Sequence, residues 1–203
     1  MLRVLIACER SQVEQQAFSA AGCDSWSLDI EPCYGPCPAR HIVADAYTVD
    51  LHGWDLIVAH PPCTELTHAN NCRRNLPNRV TPVVRALRLW SRFLFESPCP
   101  VAVENPVGIP NEILPPSQIL NPYDFGEPFA KRTCLWLRGL PPLLPTSGGF
   151  LDVRHWVDGG RGRPGCARVP GQTRSTARSQ SFAGIAAAMA SQWSYYLHAV
   201  KIG

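Results

Sequence analysis

Leu56-Ile57-Val58-Ala59-His60-Pro61-Pro62-Cys63 decides how this chain is read. Four apolar residues in a row, cut off by two prolines, read as a buried strand ending at the carboxyl edge of a sheet. A second run, Pro100-Val101-Ala102-Val103, delivers Glu104-Asn105-Pro106 to a comparable edge. In open α/β sheets the ligand crevice lies outside those carboxyl ends, so two strands would aim a thiol and a carboxylate into one crevice. A nucleophilic thiol beside a proton-donating acid suits covalent catalysis.

Outward from these strands, strand and helix signals alternate, the pattern of a parallel sheet with crossover helices. Residues 3–7 are an apolar strand. Ser11-Gln12-Val13-Glu14 reads as a capping box, with Ser11 as N-cap, opening a helix that runs to about residue 21 and stops at Gly22. Residues 25–28 form a short strand ending at Asp29, and residues 41–44 a weaker one ending at Asp45. Residues 83–95 read as a helix closed by Ser97-Pro98, residues 133–137 as a strand, and residues 182–200 as a closing helix. The stretch 148–178 has the low hydrophobicity of a loop or arm, and no regular structure is assigned to it.

At 203 residues the chain suits one domain with a sizeable core. No apolar stretch approaches the roughly 20 residues of a membrane helix, and the first strand begins too early for a signal peptide. These features lead to the expectation of a cytoplasmic protein that makes no membrane contact. Nine cysteines, an odd number without an export signal, argue for thiols rather than a disulfide framework. Cys33, Cys37 and His41 have a spacing that could hold zinc, but the fourth ligand would have to come from Cys23 or Cys72. A cysteine-rich surface turn is the simpler reading, and no metal is expected. Lys131 and Lys201 are the only lysines, and Arg154, Arg161, Arg163, Arg168, Arg174 and Arg178 crowd one glycine- and proline-rich stretch. Arginine favours bidentate phosphate contact, so this stretch is expected to track a nucleic-acid backbone.

The ordered blocks Ala7-Cys8-Glu9, His60-Pro61-Pro62-Cys63-Thr64, Glu104-Asn105-Pro106-Val107-Gly108, Phe125-Gly126-Glu127-Pro128 with Lys131-Arg132-Thr133-Cys134-Leu135-Trp136-Leu137, and Gly184-Ile185-Ala186 with Gln192-Trp193 resemble the DNA cytosine-5 methyltransferases, in their short phage-type branch. The resemblance covers most of the chain. It implies a Rossmann-like S-adenosylmethionine-dependent methyltransferase fold with a mostly parallel sheet, and methyl transfer to C5 of cytosine. Cys63 would be the nucleophile, attacking C6 to give C5 the electron density it lacks. Glu104 would serve N3 as the acid, and Arg132 would orient Glu104 and the base, with Lys131 as a phosphate contact. The donor would lie against Ala7, Cys8, Glu9, Arg10 and Pro61, with Asp29 on its ribose, Ile30 on its adenine ring and Asp45 near the adenine amino group.

Two features depart from the family pattern. The turn Ala7-Cys8-Glu9-Arg10-Ser11-Gln12 has no glycine where the wider family has a glycine-rich turn. A derivative of S-adenosylmethionine therefore stays open as donor, with Arg10 placed to meet a carboxylate on it or to pair with Glu9 or Glu14. In place of a target-recognition domain stands only the arginine-rich stretch from about 145 to 178, so residues 1–203 are expected to form a single domain with a minimal recognition segment. The expected partner is double-stranded DNA, with the target base flipped out. RNA, a free nucleotide, a non-catalytic nucleic-acid-binding module and a zinc-stabilised interaction protein are the alternatives; the oligomeric state is not legible.

Overall fold

The computed structural model describes residues 1–68, 78, 80–127, 132–147 and 181–202. Its strands are β1 (Arg3–Ala7), β2 (Asp24–Asp29), β3 (His41–Val43), β4 (Leu56–Ala59), β5 (Val101–Pro106), β6 (Gln118–Leu120) and β7 (Thr133–Arg138). Its helices are α1 (Val13–Ala20), α2 (Val80–Ser91), α3 (Ile109–Ile113) and α4 (Ala183–Ile202). The strands form one sheet in the order β3-β2-β1-β4-β5-β7-β6. β1 through β5 pair in parallel, and β7 runs antiparallel to both β5 and β6.

Side chains on a strand alternate between the two faces, and both faces here are covered. Leu56 and Val58 of β4 join Val4 and Ile6 of β1 against Phe18 of α1 and Met189 and Trp193 of α4. Ile57 and Ala59 join Leu5 and Ala7 on the other face, against Leu89 and Trp90 of α2 and Trp136 of β7. The Trp90 and Trp136 rings meet edge to face with centroids 5.2 Å apart. A fully buried side chain such as Phe18 contributes about 1.5–3 kcal/mol. Among the described residues no helix is long and apolar enough to cross a membrane.

The expected strands and helices are present within a few residues, and Gly22 ends α1 with φ of 81°, a value that favours glycine. The path expected as helix to residue 95 leaves α2 at Ser91 and continues as a π-helical turn, Arg92–Glu96. β6 and α3 are additions, too short to show a period in sequence. One expectation is corrected. Gln12, not Ser11, precedes α1, in the left-handed region at φ 60°. The buried first-turn amides of Glu14 and Gln15 donate instead to the carboxylate of Glu9, at 2.8 and 3.2 Å. Glu9 therefore caps the helix, which frees Glu14 to point elsewhere.

Candidate active site

The sheet order reverses at β1, whose neighbours are β2 and β4, and a crevice is expected where such a reversal occurs. A cleft of about 280 Å³ lies there, lined by Cys8, Asp29, Glu14 and His60, by Pro61 to Thr64, by Glu104, Pro106 and Thr133, and by Phe182, Ile185 and Met189 around α4.

Local contacts fix the loop after β4. The His60 amide donates to Ala7 O at 2.9 Å. The side-chain amide of Asn105, fully buried, donates to Pro61 O at 3.1 Å and ties this loop to the end of β5. The Cys63 carbonyl accepts from the amides of Leu66 and Thr67, at 3.0 and 2.9 Å. Thr67 bridges to Gly108, and the Ile109 amide donates to Leu66 O at 2.8 Å. A Cβ on Gly108 would stand 2.0 Å from Leu66 O, so glycine is required there for close approach. The outcome is an exposed Cys63 thiol held at the cleft.

Glu104 reaches the same cleft from β5. One carboxylate oxygen accepts a hydrogen bond from the Thr133 hydroxyl. The other lies 3.2 Å from His60 Nδ1. His60 Nε2 lies 2.7 Å from Glu14 Oε2, in the first turn of α1. Burial works against a charge on His60, but Glu14, and after it Glu104, hold its pKa well above the ordinary value. Behind Glu14, burial first and then the Glu14 charge push Glu9 up to about 7, against the two helix amides that favour its ionised form.

The β1–α1 turn does without glycine by placing Cys8 itself at φ 61°, a conformation uncommon for other residues. Burial, then the charges of Asp29 and Asp45, push the Cys8 thiol up to about 12, so it stays a thiol.

Of the residues singled out in sequence, the cleft brings together Cys63, Glu104, Cys8, Asp29 and Pro61. Ala7 is core, and Glu9 is buried beneath the turn as the cap of α1. Ile30, beside Asp29, is 65 % exposed. Asp45 Oδ1 accepts the Tyr47 amide at 2.9 Å, a turn-forming role. Arg10 pairs with Glu31 and lies over the Tyr34 ring. Arg132 is exposed one residue ahead of β7 and is not among the side chains lining the cleft; His60 and Thr133 hold the Glu104 carboxylate. His41 spends its ring nitrogens on Ser27 Oγ and Glu31 O, at 2.8 and 3.0 Å. Lys131, Cys72 and the arginines 154, 161, 163, 168, 174 and 178 lie outside the described residues. The sequence alone assigns no role to His60, Thr133 or Glu14 in the site. His60 stands in the Pro-Pro-Cys motif, but its partners are 44 and 46 residues away, and no local pattern encodes that contact.

No family model and no curated protein matches the sequence. Among solved structures, the chain is similar to the Dnmt2 methyltransferase of S. pombe at 19% identity and a TM-score of 0.46, covering 68% of this chain and 50% of that one. It is also similar to the methyltransferase EhMeth of Entamoeba histolytica at 14% identity and a TM-score of 0.48, covering 72% of this chain and 57% of that one. The chain thus spans about half the length of these structures. The assignment of the fold rests on strand order and direction, with one antiparallel strand inserted beside the last. The fold is that of the Rossmann-like methyltransferases.

Proposed function

We propose that this protein transfers a methyl group from S-adenosylmethionine to C5 of cytosine in DNA, through a covalent adduct between Cys63 and C6. The supporting observation is that an exposed thiol and a carboxylate share one cleft at the carboxyl ends of β4 and β5. The other cysteine at the cleft, Cys8, is half-buried and its thiol is held protonated.

The residues present suit the donor. Asp29 puts a carboxylate at the end of β2, an acceptor for ribose hydroxyls, and the exposed Ile30 offers an apolar surface beside it. When bound, S-adenosylmethionine supplies an electrophilic methyl group on a sulfonium. With Arg10 engaged by Glu31, no observation favours a carboxylated derivative.

In the reaction, Cys63 Sγ bonds to C6, the C5–C6 pair shifts to C4–C5, and the C4–N3 pair moves onto N3, which takes a proton from Glu104. C5 thereby gains the electron density that methylation needs. A water molecule in the open cleft then takes the C5 proton, which restores the C5–C6 double bond and expels the Cys63 thiolate, and N3 returns its proton to Glu104. The whole chain is proposed to act as one domain. Residues from about 145 to 178, with Lys131 and Arg132, would supply phosphate contacts in place of a recognition domain.

Nucleoside mass spectrometry of DNA and RNA from cells expressing wild type or Cys63→Ala tests this. The expected result is 5-methyldeoxycytidine with wild type alone. Identical nucleosides in both, from soluble protein, overturn it.

A further inference from the structure

In the proposed reaction Glu104 must deliver a proton at neutral pH, where an ordinary carboxyl, with a pKa of about 4.3, is ionised. We infer that His60 is the positioning residue that stores this proton and hands it to Glu104, while Glu14 holds the imidazole in place. This inference rests on the cytosine reaction proposed above.

Geometry carries it. His60 Nδ1 faces Glu104 Oε2 at 3.2 Å and Nε2 faces Glu14 Oε2 at 2.7 Å. A neutral imidazole has one N–H, so two carboxylate acceptors on its two nitrogens call for the imidazolium. Glu14 is 2 % exposed, and a carboxylate so buried needs a charged partner; its partner is His60. The charged groups around the ring are Glu14 from α1, Glu104 from β5 and, behind them, Glu9 from the β1–α1 turn. Glu14, and after it Glu104, hold the ring's pKa well above the ordinary histidine value, against the burial that works the other way. The Thr133 hydroxyl fixes the other Glu104 oxygen, so the carboxylate keeps one edge toward the ring.

The step balances. As Sγ–C6 forms, the Nδ1 proton passes through the Glu104 carboxyl to N3: the N–H bond at Nδ1 breaks and the one at N3 forms. His60 is left as a neutral imidazole with its Nε2 hydrogen on Glu14. When the thiolate departs, the proton returns by the same route. Activity should therefore fall as pH rises through the His60 pKa.

The test uses the full chain labelled with ¹⁵N-histidine, His60 being assigned by the signals that disappear in His60→Gln. Ring titrations are compared with methyl transfer, and with trapping of Cys63 on 5-fluorocytosine DNA, from about pH 6 to about pH 9. We expect both His60 nitrogens to be protonated in wild type at neutral pH and the midpoint to fall in Glu14→Gln. We expect His60→Gln to slow transfer about tenfold or more near neutral pH, within the range of general-acid effects. The loss should be less at the acid end, where solvent protonates Glu104 directly, and at the alkaline end, where wild-type His60 has lost its own proton. A neutral His60 at pH 7, or an equal loss at every pH, overturns the proton store. If His60→Gln does not fold, the wild-type titration and the Glu14→Gln profile decide. Wild-type protein that neither methylates nor traps at any pH overturns the cytosine reaction and the proton store with it. Wild type that does both, with a pH profile unmoved by Glu14→Gln and His60→Gln, overturns the proton store alone.

Discussion

Cys8 and Cys63 border the same cleft with opposite prospects, because one is half-buried among acidic neighbours that keep it a thiol and the other is exposed. Alkylation at neutral pH, mapped by peptide mass spectrometry, should label Cys63 and spare Cys8. Glu104→Gln keeps the shape but cannot cycle a proton, and should slow methyl transfer by about 10²- to 10⁴-fold while DNA still binds, as a filter-binding assay would show. Glu9 gives a stability prediction. Its folded pKa, about 7, lies above its ordinary value of 4.5. Its contribution is thus complete below that ordinary value and is lost as pH rises through about 7. Glu9→Gln should therefore flatten the fall of Tm across that window in thermal melts.

Between residues and sheet stands the brace that joins the Cys63 loop to β5 and α3. Gly108→Ala would set a methyl group 2.0 Å from Leu66 O, and backbone cannot yield as a side-chain tip does. We expect a loss of about 1–3 kcal/mol in denaturant melts and slower trapping of Cys63, with α1 and its Glu9 cap untouched. The elements themselves are largely legible in the sequence: the apolar runs of β1, β4, β5 and β7 and the closing helix stand out because burial on both faces leaves unbroken hydrophobic stretches. What is not legible depends on partners distant along the chain. Ser11 and Glu14 have the spacing of a capping box, but Glu14 turns to His60, and Glu9 takes the amides instead. Cys63 and Glu104 can be named from sequence as a candidate pair. That His60 and Thr133 reach the Glu104 carboxylate cannot.

For the molecule as a whole, the sheet supplies the chemistry, and the proposed grip on DNA comes from the arginine-rich stretch. Replacing Arg154, Arg161, Arg163, Arg168 and Arg174 with glutamine should weaken DNA binding regardless of sequence. It should also lower the slope of log affinity against log salt by about 0.9 for each phosphate no longer neutralised, read from binding titrations at several salt concentrations. The antiparallel insertion of β7 reaches further. β6 pairs with the sheet through β7, and the first residue of β7, Thr133, is the one that clasps Glu104. The parallel strands β1 to β5 pair without either of them. During folding, the acid therefore has His60 but lacks its Thr133 clasp until this distant pair has zipped onto β5. In the native protein, a partial opening that peels β6 and β7 away would switch off proton delivery while the rest of the sheet stands. Amide hydrogen exchange would register such an opening as a block of β6 and β7 amides that exchange together, ahead of β1 and β4.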